Sequence, residues 1–278
     1  FTQKDKEDLA FGLSQNVDAI ALSFVRSEKD VINLRDEIKK IDPSKVTTPI
    51  IAKLERPEAL ENLHEIIHVA DGVMVARGDL GVEMLPEMVP IQQKRIILTA
   101  NRHQKIVITA TQMLESMMHN PRPTRAEASD VANAIFDGSD LVMLSGETAV
   151  GKYPIKAVET MAAIVDEAEE HMTEWGHFDT AMSDDLDHEN ALFITRAARE
   201  LACDRDVAAI AVFTISGRTA RMMSKARPGV PILAFTPNKT AYNKMALFWG
   251  VQPYIVSHSE TVENMLEQTE LVITEATK

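Results

Sequence analysis

The sequence predicts an α/β chain of parallel strands joined by helices, followed by a second, smaller α/β domain. Three observations predict it. Short apolar runs recur through the first 170 or so residues, amphipathic stretches of crossover length separate them, and polar residues capable of chemistry stand at the carboxyl end of each run. Runs this continuous read as strands buried on both faces, which is the habit of parallel sheets.

A capping box of Thr2 and Asp5 opens a first helix carrying Leu9 and Leu13. Residues 17–24, 49–54, 72–76, 105–110 and 140–144 then read as five strands. The helices between them are marked by Val31, Leu34 and Ile38; by Leu60, Leu63, Ile66 and Ile67; by Ile91, Ile96, Ile97 and Ala100; and by Val131, Ala134 and Ile135. With Ser23, Lys53, Arg77, Thr111 and Ser145 as strand ends, the units repeat every 24 to 34 residues. That cadence fits an open doubly wound sheet or part of a (β/α)8 barrel, which five strands cannot close. A helix after Tyr153 and Pro154 carries Ala157, Met161, Ile164, Val165 and Ala168 and completes a first domain, residues 1–172. Residues 173–190 are acidic, lack apolar periodicity and read as a linker. In the second domain, 191–278, a helix facing inward through Leu192, Ile194, Ala198 and Leu201 precedes strands at 207–213, 231–235 and 254–256 and a last helix from about residue 260. Three parallel strands leave an edge unpaired, so this domain reads as truncated.

Composition narrows the function. Among 278 residues, 29 Lys and Arg face 42 Asp and Glu, and no basic patch offsets the net charge of −13, which repels a phosphate backbone. A nucleic-acid partner is not expected. Cys203 is the only cysteine, which rules out a disulfide framework or a Cys-rich zinc site and suits a reducing compartment. No apolar stretch approaches the roughly 20 residues that cross a bilayer, and nothing resembles a signal peptide, so no membrane partner and a cytoplasmic location are expected. The chain opens on Phe1, not Met, and is expected to be a piece of something longer. Of the eight histidines, His64 and His68 stand at i, i+4 in an HEIIH run inside the helix marked by Leu63, Ile66 and Ile67; no His-based metal site is expected, and His103, His119 and His188 read as surface residues. No P-loop run is present.

Period two along 50–55 puts Lys53 and Glu55 on one face and Leu54 on the other, and Arg77 and Asp79 repeat the spacing after strand 72–76. Two carboxylates and two cations are thus expected at one mouth. Glu55 and Asp79 are hard oxygen ligands that, completed by water and substrate oxygens, suit Mg²⁺. Lys53 is a compact charge suited to a moving phosphoryl group or an enolate oxygen. The alternative is a structural ion pair of Lys53 with Glu55 or Asp79 at the sheet rim. Gly78 and Gly81 let backbone approach a ligand or make an ordinary turn. Thr111 offers a hydroxyl to the mouth or caps a helix, and 145–148 has the same two readings. Met113, Leu114, Met117 and Met118 form an apolar stripe of core or subunit contact. Residues 121–127 form a stiff loop with two cations. Residues 214–219, at a strand-to-helix junction, make either an anion cradle or a well-capped turn.

Together these segments resemble the pyruvate kinase family. The matching stretches are 21–26 (ALSFVR), 52–57 (AKLERP), 74–83 (MVARGDLGVE), 110–116 (ATQMLES), 122–127 (RPTRAE), 131–133 (VAN) and 143–149 (MLSGETA), with 214–219 (TISGRT) and 249–251 (WGV) in the second domain. The resemblance implies a partial (β/α)8 TIM-type barrel, strands four to eight, followed by the family's small three-layer C-terminal α/β domain. The implied reaction moves the phosphoryl group of phosphoenolpyruvate to ADP, giving pyruvate and ATP. Glu55 and Asp79 match the ligands of Mg²⁺ or Mn²⁺, and Lys53 matches the lysine that stabilises the phosphoryl group in flight. Ala76, Arg77, Gly78 and Asp79 match the cradle of the substrate carboxylate. Thr111 matches the residue near the carbon that is protonated, acting through water. Arg125 matches a residue crossing a subunit interface in a homotetramer. Thr214, Ser216, Gly217, Arg218 and Thr219 match the phosphate-binding part of an allosteric sugar-phosphate site.

Family members carry three earlier strands, a lid domain, a K⁺ site and a longer C-terminal domain, all outside this sequence, so turnover by this polypeptide alone is not expected. Leu54 stands where the family often has isoleucine. Two other readings compete: a Mg²⁺-dependent aldolase or lyase of the related phosphoenolpyruvate/pyruvate barrels, and a non-catalytic fragment binding a sugar phosphate through 214–219.

Overall fold

The computed structural model describes residues 2–176, 190–258 and 261–276. The chain divides into two compact units, residues 1–183 and 184–278. Most of the expected linker, 177–189, lies outside the described residues, and His188 with it. At its borders Met172–Trp175 is a short helix and Asn190 opens the next.

In the first unit β1 (Ile20–Leu22), β2 (Ile50–Leu54), β3 (Gly72–Ala76), β4 (Ile106–Ala110) and β5 (Leu141–Met143) form a parallel sheet in sequential order. An order without reversal has no switch point, so it is the winding of a barrel segment and removes the doubly wound reading. The two faces of the sheet separate by period two. Ala52, Leu54, Val73, Val75 and Val107 point outward into one core with Leu34, Ile38, Leu63, Ile66, Ile67, Ile96 and Ile97 of the helices. Each of the large side chains among them contributes roughly 1.5–3 kcal/mol on burial. Ile51, Met74 and Ala110 point inward with Ile108 and Met143. Gly72 belongs to this inner layer, where a Cβ would lie 2.8 Å from Ile51 Cδ1 and 2.9 Å from Ile106 Cβ. At the amino ends of the strands Arg35 staples the sheet, donating to Val46 O and Thr48 O and to Asp71, whose Oδ2 also accepts Ile50 N–H. Chemistry is left to the opposite end.

The second unit is a parallel sheet of β6 (Ile210–Phe213), β7 (Ile232–Thr236) and β8 (Val251–Ile255) in that order. The register stacks Phe213 on Phe235 and Phe235 on Tyr254, with ring centroids 5.3 and 5.4 Å apart.

Several boundaries depart from expectation for identifiable reasons. β1 is shorter than 17–24 because Asn16 and Phe24 take left-handed backbone on either side of it. β8 begins before Pro253 rather than after it, since an edge strand tolerates a missing N–H. The helix Asn190–Asp204 buries Leu192, Thr195 and Ala202, while Ile194 and Leu201 are exposed, which shifts its inward face from the one expected. The methionine stripe is core: Met113, Leu114 and Met117 pack on Val131, Ala134, Ala157 and Met161. Met118, its fourth member, is half-buried. Ile91 is exposed where its helix was expected to turn it inward. No helix among the described residues is long and apolar enough to cross a membrane.

Candidate active site

The carboxyl ends of β1 to β4 bring together Ser23, Lys53, Glu55, the segment Ala76 to Asp79, and Thr111. Register fixes the first of these placements. Lys53 pairs with Met74 of the inner layer, so its side chain rises on the barrel-interior face. There its Nζ lies 2.5 Å from Glu55 Oε1 and donates to Ser23 Oγ at 2.9 Å. Glu55 is only 1% exposed. Its Oε2 accepts the Phe24 amide at 2.7 Å, whereas Oε1, though beside the ammonium, has no aligned hydrogen bond. The carboxylate thus pairs with the ammonium through one oxygen and accepts an amide through the other.

β3 runs straight into the helix Arg77–Glu83, and Asp79 stands exposed in its first turn. Ala76, one residue earlier, is buried and pairs with Ala110. This register sets Arg77 and Gly78 beside Thr111. Gly78 N–H donates to Thr111 Oγ1 at 2.8 Å, and that hydroxyl donates to Ala110 O at 2.6 Å. Thr111 and Gln112 both have positive φ, 68° and 54°. For a β-branched residue that conformation is strained, and such strain persists where surrounding structure imposes it.

Arg77 imposes it here. Its buried guanidinium donates to Thr111 O at 2.7 and 3.2 Å, to Gln112 O at 3.1 Å and to Ala110 O at 3.4 Å, and pairs with Asp130. The side chain is thus turned to the β4 exit rather than standing free in the mouth as a second cation. What Arg77 brings to the mouth is backbone and the shape of the Thr111 turn.

Further residues support the site without an obvious signal in the sequence. Glu147, 2% exposed, accepts Leu114 N–H at 3.0 Å and Ser145 N–H at 2.8 Å, tying the ends of β4 and β5 together. Glu127 accepts from the amide and hydroxyl of both Ser116 and Thr124. Burial opposes its ionisation, but those hydrogen bonds prevail and hold its carboxyl below the ordinary 4.5. They close the loop that precedes the helix Arg125–Phe136, whose first residue, Arg125, is exposed. The Thr124 to Glu127 spacing was readable as a capping box; the bond to Ser116 was not.

Metal fit rests on Glu55 and Asp79. Among the described residues no group of three or more His, Cys, Asp or Glu side chains could hold a metal ion. Two carboxylates, one buried and one exposed, suit a divalent hard cation whose shell is completed by water and ligand oxygens, and not a closed protein cage.

In the second unit, Gly217 takes the left-handed conformation, φ 82°, at the N-cap of the helix Arg218–Ala226. Its N–H donates to Thr214 Oγ1 at 3.0 Å, and Arg218 N–H donates to Ser216 Oγ at 3.4 Å. Ser216 and Arg218 are exposed, Thr219 is half-buried, and Thr214 is buried.

Residues 1–158 match the family description "Pyruvate kinase, barrel domain", and residues 193–278 match "Pyruvate kinase, alpha/beta domain". The chain is 47% identical over 268 residues to a pyruvate kinase of Geobacillus stearothermophilus, covering 96% of this chain and 45% of that protein. It is 50% identical to pyruvate kinase 2 of a Synechocystis strain, over 92% of this chain and 42% of the relative. A crystal structure of a pyruvate kinase from Cryptosporidium parvum superposes with a TM-score of 0.91 at 36% identity, covering all of this chain and 57% of that one. The chain therefore spans about half the length of the relatives it matches. Its sequential parallel sheets, its strand-end carboxylates and these matches together place the chain in the pyruvate kinase family.

Proposed function

We propose that this chain supplies the phosphoryl-transfer site of a pyruvate kinase, which moves the phosphoryl group of phosphoenolpyruvate to ADP. The observation that carries this reading is the Lys53–Glu55 pair on the barrel interior, its carboxylate 1% exposed and its ammonium side chain a quarter exposed toward the mouth. Glu55 and Asp79 hold the divalent cation, Mg²⁺ or Mn²⁺. When bound, that cation neutralises charge on the phosphoryl and enolate oxygens. Lys53 sits at the phosphoryl path and stabilises the charge spread over its equatorial oxygens as the bond to the enol oxygen breaks and the bond to the ADP oxygen forms. Gly78 N–H and Thr111 Oγ1, now bonded to each other, are the donors that take up the substrate carboxylate. Thr111 also orients the water that delivers a proton to the enolate carbon, giving pyruvate. Arg77 and Asp130 hold Thr111 in place.

The family assignment extends the proposal to a homotetramer with Arg125 at a subunit interface, to K⁺ held outside these residues, to a cytoplasmic setting, and to a sugar-phosphate effector at 214–219. An assay of phosphoenolpyruvate plus ADP, run beside retro-aldol cleavage of a keto acid, tests the reaction. Magnesium-dependent pyruvate and ATP formation is expected from the protein isolated from its source. Keto-acid cleavage without ATP formation would instead identify a lyase.

A further inference from the structure

One contact at the mouth has no part in the mechanism above. Arg56, the residue after Glu55, places Nη1 2.7 Å from Glu83 Oε1. Its guanidinium also stands 5.6 Å from the centre of the Phe24 ring. Phe24 is the residue whose amide holds Glu55 Oε2. Glu83 lies four residues after Asp79 on the helix Arg77–Glu83, so the two share one helix face. Arg56 and Glu55 are neighbours on one segment, and Glu83 and Asp79 are neighbours on the other.

An ion pair with about a third of each side chain exposed contributes little to stability. Its value lies in geometry. β2 and β3 are bonded only up to Leu54 and Val75, so the strand ladder stops before either carboxylate is reached. Arg56–Glu83 is a tie beyond the ladder, and Phe24 adds the end of β1 to it.

We propose that the Arg56–Glu83 pair sets the separation of Glu55 and Asp79, making both residues positioning residues for divalent-cation binding. The proposal rests on the reading of Glu55 and Asp79 as the metal carboxylates. Partners that orient metal ligands typically change affinity by ten- to a hundred-fold when lost.

The test is direct Mn²⁺ binding, read by the electron paramagnetic resonance signal of free Mn²⁺, with no substrate present. Arg56→Glu, Glu83→Arg and the double exchange are compared with the parent protein. Arg56→Glu is the informative variant. It brings negative charge toward the cation, so Coulomb attraction alone would tighten binding, whereas a positioning role loosens it. The expected result is about ten-fold weaker Mn²⁺ binding for each single variant, recovery of most of the loss in the double exchange, and Tm within about 3 °C of the parent. Tighter or unchanged binding by Arg56→Glu, or a double exchange no better than the singles, would overturn the proposal. Glu55→Gln and Asp79→Asn serve as the control. If they bind Mn²⁺ like the parent, the metal assignment itself fails and takes the proposal with it.

Discussion

Replacing Arg77 by methionine tests whether this arginine is a strut. The change removes hydrogen bonds to the carbonyls of Ala110, Thr111 and Gln112 and leaves Asp130 without its cation. Charge-assisted bonds contribute about 1.5–3 kcal/mol each, but bonds sharing one guanidinium do not add. Breaking a fully buried pair costs about 3–5 kcal/mol. Arg77 is 9% exposed but the Asp130 side chain is 39% exposed, so water recovers part of the loss. The expected cost is therefore about 3 kcal/mol, at the low end of that range. For a unit of this size, Tm should fall by about 6–12 °C. Thermal unfolding followed by circular dichroism measures it. Arg77→Lys keeps the charge but not the planar fork, so its Tm should fall between those of methionine and the parent. Because Thr111 loses the anchor of its left-handed backbone, KM for the substrate should rise in parallel. A methionine variant within about 2 °C of the parent and with unchanged KM would refute the strut.

Two further outcomes follow from the same geometry. Glu127 has its folded-state pKa held below the ordinary 4.5, so the unfolded chain binds more protons between the two values. Its contribution is full above about pH 4.5 and is lost as pH falls through the folded value. Urea titrations from pH 7 downward should show that acid slope weakened in Glu127→Gln, and equal slopes would contradict it. Gly72→Ala should destabilise the first unit by about 2 kcal/mol through overpacking, since the added methyl meets Ile51 Cδ1 at 2.8 Å and Ile106 Cβ at 2.9 Å. A denaturation midpoint equal to that of the parent would show that the inner layer yields.

How much of this was legible beforehand depends on whether a feature is local. β3 falls on 72–76 as read, because its apolar run is flanked by Asp71 and Arg77 and buried along its whole length. The Thr2 to Asp5 capping box forms as read. Period two alone put Lys53 and Glu55 on one face, and their contact at 2.5 Å follows from it. Other features required long-range information. Arg77 and Asp79 have the same spacing as Lys53 and Glu55, yet a helix begins at Arg77, period two ends there, and the guanidinium swings to the β4 exit. The methionine stripe has helical spacing, but 115–118 is a tight 3-10 turn from which Met117 enters the core beside Met113 and Leu114. Asp130, Glu147 and Phe24 reach the site from other strand-to-helix segments of the first unit, and no local pattern marks such contacts. The opening choice between a barrel and a doubly wound sheet turned on strand order, which periodicity does not encode.

The most direct test of the central claim replaces Lys53 by methionine, a side chain of similar length without the charge, in the protein isolated as above. Pyruvate formation from phosphoenolpyruvate and ADP is the readout, with Mn²⁺ binding measured alongside. If Lys53 stabilises the phosphoryl group in flight, kcat falls at least about a hundred-fold while Mn²⁺ binding by Glu55 and Asp79 persists. A variant that keeps its kcat would leave the Lys53–Glu55 pair a structural ion pair at the sheet rim and contradict the account.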